Sequence, residues 1–308
     1  MNALEVQHLS KRFGAFKAVD DLSFTIPEGV IFGLLGRNGA GKTTTIRMLM
    51  NIFEPDSGEI RFRGARVGQD FRDRVGYLPE ERGLNTKLRV MDTLLYLAEL
   101  KGKNGQAVKD KAQYFLERFE LGARGNSRIQ ELSKGNQQKI QFIATILHEP
   151  DFIILDEPFS GMDPVNVNLF KDIILEMKQQ GRAIVFSTHL MHFAETMCDH
   201  IALIDRGRLL LAGPLAQVKA RFSECNVMLH YEGNIDFLKQ REYVRKVQDF
   251  GNSSGIEVAS RDDSQRLLQD LVANGVRVNR FDANAISLHD IFLSQTGANA
   301  ELAQGEVA

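Results

Sequence analysis

Cysteine is scarce in this 308-residue chain, which holds two, Cys198 and Cys225. Two isolated thiols build neither a disulfide framework nor a zinc site, so a reducing cytoplasm is expected. The chain also lacks any run of about 20 apolar residues, the length a membrane helix needs. Its opening stretch, MNALEVQHLSKRFG, has no apolar centre of the kind found in secretion signals. Any membrane role is therefore expected to come through a partner. Nor does one charge dominate: 38 basic side chains face 40 acidic ones, a net charge of −2. No global field favours a polyanion, and nucleic acid is not an expected partner. The arginine cluster Arg61, Arg63, Arg66, Arg72 and Arg74 is interleaved with Glu59, Asp70 and Asp73, which reads as a solvated mixed surface. There is no internal repeat and no low-complexity tract.

What is present is an ordinary globular composition, 43% hydrophobic and 25% charged, enough for a sizeable core. Residues Leu4 to Leu9 and Ala18 to Ile26 alternate like strands, the second ending at a Pro27–Gly29 turn. Three short apolar runs follow, 30–35, 152–155 and 183–186. Runs of this kind suit parallel strands buried on both faces. Each ends in polar residues, where an open α/β sheet places its chemistry. Between the first two lie helical patterns at Val90 to Leu100, Val108 to Phe119, and after Ser133. They predict a helical subdomain at about 82–148, inserted into the sheet domain. Ile201 to Leu211 reads as a hairpin around Asp205-Arg206-Gly207. Beyond about 220 the pattern changes to a small α/β domain, over about 223–296. There Val227, Leu229 and Tyr231 alternate, Asn252 to Gly255 signals a turn, and Leu267, Leu268, Leu271 and Val272 mark a helix face. A second alternation at Val276 and Val278 and a short helix at Leu288 to Leu293 complete it. Residues 297–308 are expected to be a disordered tail.

Gly36-Arg37-Asn38-Gly39-Ala40-Gly41-Lys42-Thr43 follows a buried strand and precedes a helix. This is the phosphate-loop pattern in its required context. The glycines let successive backbone N–H groups converge on a phosphate, and the helix start adds partial positive charge. Lys42 is placed to reach the β- and γ-phosphates, Thr43 to put its hydroxyl on Mg²⁺, and Thr44 to continue the nucleotide-binding loop. The run at 152–155 ends in Asp156 and Glu157. Asp156 is expected to hold Mg²⁺, directly or through water. Glu157 stands where a hydrolytic water must be oriented and deprotonated. The third run leads through Ser187 and Thr188 to His189, a candidate contact for the γ-phosphate.

The segment Leu132-Ser133-Lys134-Gly135-Asn136-Gln137-Gln138 resembles the signature of ABC ATPases, usually Leu-Ser-Gly-Gly-Gln, and is followed by an amphipathic helix as in that family. Ser160-Gly161-Met162-Asp163-Pro164 looks like the D-loop, and His189 matches the H-loop histidine. The resemblance spans about residues 3–218. It implies a P-loop NTPase (RecA-like) α/β core with an antiparallel β subdomain and an inserted helical subdomain, over about 1–220. It also implies ATP hydrolysis with Mg²⁺ in a head-to-tail homodimer, each ATP lying between one chain's phosphate loop and the other's signature. Ser133 and Gly135 would then grip the γ-phosphate of the partner's ATP, with the positive charge of Lys134 near it, and Asp163 would lie at the dimer seam. Lys134 and Asn136 depart from the usual signature. Glu80 takes the place of the Q-loop glutamine, where a carboxylate can still approach Mg²⁺ or its waters. Phe13 stands where an aromatic stacks on adenine.

The forms Tyr77-Leu78-Pro79-Glu80-Glu81-Arg82 and Leu132 to Gln138 together look like a bacterial subset serving ABC-2-type exporters. Members of that subset often carry a small C-terminal domain, and Ser287 to Phe292 is similar to its end. An integral-membrane ABC-2-type permease is the implied partner. The chain would then be cytoplasmic, peripheral on the inner face of the cell membrane through that permease. The rival within the family is a soluble ABC ATPase acting on ribosomes or nucleic acid. Such proteins usually carry two ATPase units or a long coiled-coil insertion, and neither is found here. A small-molecule kinase shares the phosphate loop but not the signature or D-loop. Cys225, His230 and His289 are too scattered for a metal site.

Overall fold

The computed structural model describes residues 2–81, 83–223, 226–249, 253–260, 262–283 and 287–296. The expected tail at 297–308 lies outside the described residues, as do Arg82, Cys225 and Asn252. The chain divides into two compact units, one up to Ala212 and one from Gly213 onward.

The first unit opens with β1 (Asn2–Phe13), β2 (Phe16–Pro27), β3 (Ile31–Leu35), α1 (Lys42–Leu49), β4 (Ser57–Phe62), the two-residue β5 (Ala65–Arg66), α2 (Gln69–Arg74) and β6 (Val75–Leu78). Three helices follow: α3 (Val90–Glu99), α4 (Gln106–Arg118) and α5 (Lys134–Ile146). The unit then continues with β7 (Phe152–Asp156), α6 (Pro164–Gln179), β8 (Ala183–Thr188), α7 (Met191–Met197), β9 (His200–Asp205) and β10 (Arg208–Pro214).

An antiparallel sheet has the order β2-β1-β4-β5, and a six-stranded sheet the order β10-β9-β3-β8-β7-β6. In the second sheet β3 pairs in parallel with β8 and β9, and β7 with β6 and β8. Every residue of β3, β7 and β8 is buried, as expected for strands covered on both faces. One core cluster joins the two sheets through Leu4, Val6, Phe24, Phe32, Ile154 and Val185, with Ile46 and Leu49 of α1 in the same cluster. The helical segment packs on α6 through rings: Phe142 and Phe170 stand 4.3 Å apart, and Phe119 lies 5.3 Å from Phe170. Around the arginine cluster, Arg61 pairs with Glu59, Arg63 with Glu28, and Arg74 with Asp151.

The second unit runs α8 (Leu215–Ser223), β11 (Asn226–Glu232), β12 (Val244–Asp249), β13 (Ser253–Val258), α9 (Asp263–Ala273), β14 (Arg277–Asp282) and α10 (Leu288–Thr296). Its sheet has the order β12-β13-β11-β14, all pairs antiparallel. Leu267 and Leu271 of α9 bury against Val227, Leu229, Ile256 and Val258. The predicted turn at Asn252 to Gly255 is corrected here, because Ser253, Ser254 and Gly255 are strand residues of β13. Partners on both sides, β11 and β12, hold them extended and override their turn preference.

His148, just past α5, is a buried polar group, 4% exposed. Its Nε2 lies 3.2 Å from the Val75 carbonyl, which can only accept, so Nε2 carries the hydrogen. Nδ1 is buried without a partner. Burial, assisted by the charge of Lys101, pulls the ring's pKa from 6.5 down to about 4. The unfolded chain takes up this proton below about pH 6.5, whereas the folded chain resists until about pH 4. Stability from this group is therefore complete above the first value. On the order of 3 kcal/mol is lost as pH falls to the second. The melting temperature of His148→Gln should fall less steeply than wild type on acidification from about pH 7 to about pH 5. Parallel slopes would place the acid sensitivity elsewhere.

Candidate active site

The phosphate loop leaves the carboxyl end of β3 and enters α1 at Lys42. Two of its glycines are sterically required. A Cβ at Gly36 would stand 2.3 Å from the Ile204 carbonyl oxygen. Gly41 has φ +105, and a Cβ there would stand 2.5 Å from the Ala18 carbonyl oxygen. A cavity of about 310 Å³ opens over the loop, lined by residues 38–44 with Glu80, Glu157, Phe16 and Ala18. Lys42 is only 5% exposed. Its ammonium donates to the Gly36 carbonyl at 2.8 Å and lies 3.3 Å from Oε1 of Glu157.

The parallel register sets Asp156 of β7 beside Ser187 of β8, and Leu35 of β3 beside Thr188. All four are at the strands' carboxyl ends, so the loop and both carboxylates share one edge of the sheet. Asp156 is almost fully buried. Its Oδ1 accepts from the Ser187 hydroxyl, while Oδ2 is buried with no hydrogen-bond partner. Burial raises the carboxyl's pKa, and the hydroxyls of Ser187 and Thr43 oppose part of that rise.

Glu157 has φ +47, in the left-handed region. For a non-glycine residue this costs on the order of 1–3 kcal/mol. Its N–H donates to Oγ of Ser187 at 3.0 Å. Its buried carboxylate takes two partners, Lys42 and Nδ1 of His189, the latter at 3.0 Å. A carboxylate only accepts, so His189 donates from Nδ1.

Asn38, Gly39, Ala40, Gly41, Lys42, Thr43, Thr44, Glu80 and Glu157 therefore share one cavity wall. Gly36 and His189 join through Lys42 and Glu157, and Asp156 through the strand register. Ser133, Lys134, Gly135 and Asp163 do not line the cavity. Ser133 caps α5 by accepting the Asn136 N–H at 3.3 Å, and a Cβ at Gly135 would meet nothing within 4 Å. Asp163 caps α6, accepting the Asn166 N–H at 3.0 Å, with Pro164 at the first helical position. Phe13 is also outside the cavity, packed edge-on against Phe53 at 5.6 Å. Its cross-strand partner Phe16 lines the cavity instead, 65% exposed.

Two residues of this geometry belong to no motif in the sequence, Phe16 and Ser187. The Gly14-Ala15 turn between two strands was the available signal for Phe16, since it sets Phe16 opposite Phe13. Ser187 gave no signal until the register was known.

The sequence pattern of the family described as "ABC transporter" matches residues 19–160. That described as "ATP-binding protein DrrA1-3-like, C-terminal domain" matches residues 213–296. The ABC transporter ATP-binding protein YhaQ of Bacillus subtilis is 42% identical over 96% of this chain and 99% of its own length. The Nod factor export ATP-binding protein I of Rhizobium sp. is 31% identical over 97% of this chain and 98% of its own. A solved structure described as the ATP binding subunit of an ABC transporter superposes with a TM-score of 0.67 at 32% identity, covering 71% of this chain and 93% of that one. The chain belongs to the ABC transporter ATP-binding proteins, and it is an ATPase subunit of that family.

Proposed function

We propose that the chain powers export through a separate integral-membrane permease of the ABC-2 type, working as a head-to-tail homodimer on the cytoplasmic face. The observation that carries this reading is the make-up of the phosphate cavity. It contains Lys42, Thr43 and Glu157 but no residue of the signature at Ser133 to Gly135. A second copy would bring its signature to the open side, with Asp163 near the seam. Export itself is supported by the Nod factor relative and by the DrrA-like C-terminal match.

Each side chain has a task in this reading. The loop amides and Lys42 hold the triphosphate, and Lys42 exchanges its resting contact with Glu157 for the phosphate. Glu157 orients the attacking water and accepts its proton, while the His189 Nδ1–H keeps the carboxylate aligned. The donor set fits Mg²⁺, since Asp156 offers a buried carboxylate oxygen with no other partner. Thr43 and Asp156 would hold the ion, and Glu80 is the further candidate. When bound, Mg²⁺ would neutralise charge on the phosphate oxygens. Phe16, with its exposed ring on the cavity wall, is better placed for the adenine than Phe13, which is 45% exposed but packs against Phe53 outside that wall.

A second cavity, of about 350 Å³, is lined by Met50, Tyr77, Pro79, Leu84, Leu97 and Leu100 among others. It lies next to Glu80 in sequence, and its apolar walls suit a docking segment of the permease. Closure of the dimer would move these walls and pull on that segment.

Glu157→Gln should retain ATP binding and lose about 10²–10⁴-fold in turnover, measured by steady-state ATPase assay. Loaded with ATP, this variant should accumulate as a dimer. If it remains monomeric both alone and with its membrane partner, the motor has no stroke. Lys42→Ala should weaken ATP binding itself, and unchanged affinity by calorimetry would contradict its role. Phe16→Ala should weaken ATP binding about 2–10-fold, the scale of one aromatic contact, and leave inorganic triphosphate binding unchanged. The same loss confined to Phe13→Ala would return the base to Phe13.

A further inference from the structure

Ser187 lies in no motif, yet it joins the two carboxylate residues at the site. It is fully buried at the end of β8, in register with Asp156. Its hydroxyl makes two hydrogen bonds in opposite senses. It donates to Oδ1 of Asp156 and accepts the Glu157 N–H at 3.0 Å. The first bond engages one carboxylate oxygen and leaves Oδ2 as the buried oxygen without a partner. The second satisfies the buried N–H of a residue held at φ +47. A buried N–H without an acceptor is costly, so this bond opposes relaxation of the turn. The neighbouring hydroxyl is no substitute: Thr188 points to the other face of the strand and accepts from the Leu190 N–H at 3.0 Å.

We propose that Ser187 is the positioning residue of the hydrolytic centre: its one hydroxyl selects which oxygen of Asp156 is free for a cation and fixes where Glu157 stands. Removing the hydroxyl releases Oδ1 from β8 and leaves Thr43 as the remaining hydroxyl beside the carboxylate, so the carboxylate can turn and present either oxygen. It also orphans the Glu157 N–H, which frees the turn to relax and carries the carboxylate away from Lys42 and His189. Removal therefore disturbs two functions through one atom. The proposal rests on reading Asp156 as the cation ligand and Glu157 as the base.

Three variants test it. Ser187→Thr keeps a hydroxyl, Ser187→Val has the volume of threonine without one, and Ser187→Ala simply removes it. Metal-free ADP affinity is measured first, as a check on the folded nucleotide site. Mn²⁺ affinity is then read in the presence of ADP by electron paramagnetic resonance of the free ion, and kcat by ATPase assay. The Val and Ala variants should bind metal-free ADP like wild type, hold Mn²⁺ about 10-fold more weakly, and lose about 10–100-fold in kcat. Ser187→Thr should lie within about threefold of wild type, on the same scale. The proposal is overturned if Ala and Val keep wild-type Mn²⁺ affinity and kcat. Equal losses in Thr and Val, or a matching loss of metal-free ADP affinity, would also overturn it by pointing to packing. Asp156→Asn is measured in parallel. Unchanged Mn²⁺ affinity there would remove the cation reading itself, whereas unchanged affinity in the Ser187 variants alone would remove only the role of Ser187.

Discussion

Three buried parallel strands end at the same level of the six-stranded sheet, and the site depends on that alignment. Leu35, Thr188, Ser187 and Asp156 are register neighbours, so a shift of one residue would carry Glu157 out of reach of Lys42 and Asp156 away from Ser187. Register is held because each strand is apolar up to its carboxyl end and covered on both faces. A slip would push the polar strand ends into the core, and burying unpaired polar groups is costly. The core thus does more than stabilise the first unit. It fixes the phosphate loop, the carboxylate pair and the histidine to within hydrogen-bonding distance, using three different parts of the chain.

The charges at this edge are buried, and buried charges persist only when paired and hydrogen-bonded. Lys42 and Glu157 satisfy each other at 3.3 Å, the Gly36 carbonyl takes part of the lysine's donor capacity, and His189 supports the carboxylate. Asp156 is the exception, with one oxygen engaged and one idle. Burial raises its carboxyl pKa. Among the described residues at this edge, Asp156 is the group whose hydrogen-bonding capacity is left unfilled. The strained backbone at Glu157 belongs with it, since such strain survives only where surrounding contacts over-determine it.

Much of this was legible in the sequence, and the exceptions have physical causes. Strands β3, β7 and β8 declared themselves as short apolar runs with polar ends, and α5 through Ser133 and its i, i+3, i+4 spacing. Strands β4 and β6 did not, because β4 buries only Ile60 and Phe62 of its six residues and β6 has only four residues. Helix α6 is hidden behind its own cap: Asp163-Pro164 reads as part of a D-loop, although Asp followed by Pro is also a helix-start signal. The turn expected at Asn252 to Gly255 failed because local preference is weak beside two flanking strands. Phe16 and Ser187 were missed for a different reason. Their importance lies in what stands beside them in another strand, and one-dimensional spacing does not carry that.

Helix α5 joins two features of the first unit. Its 13 residues make a rod about 20 Å long. Ser133 caps the end that carries the signature, while Gln141, Ala144, Thr145 and His148, along its second half and just past its end, form one wall of the apolar groove. A rigid rod gripped near one end acts as a lever. A tilt of about 10° imposed at the groove would swing the capped tip by roughly 3 Å, about the length of a hydrogen bond. On the proposed reading, a displacement at the groove would therefore reach the signature end along one helix, without any intervening loop having to refold.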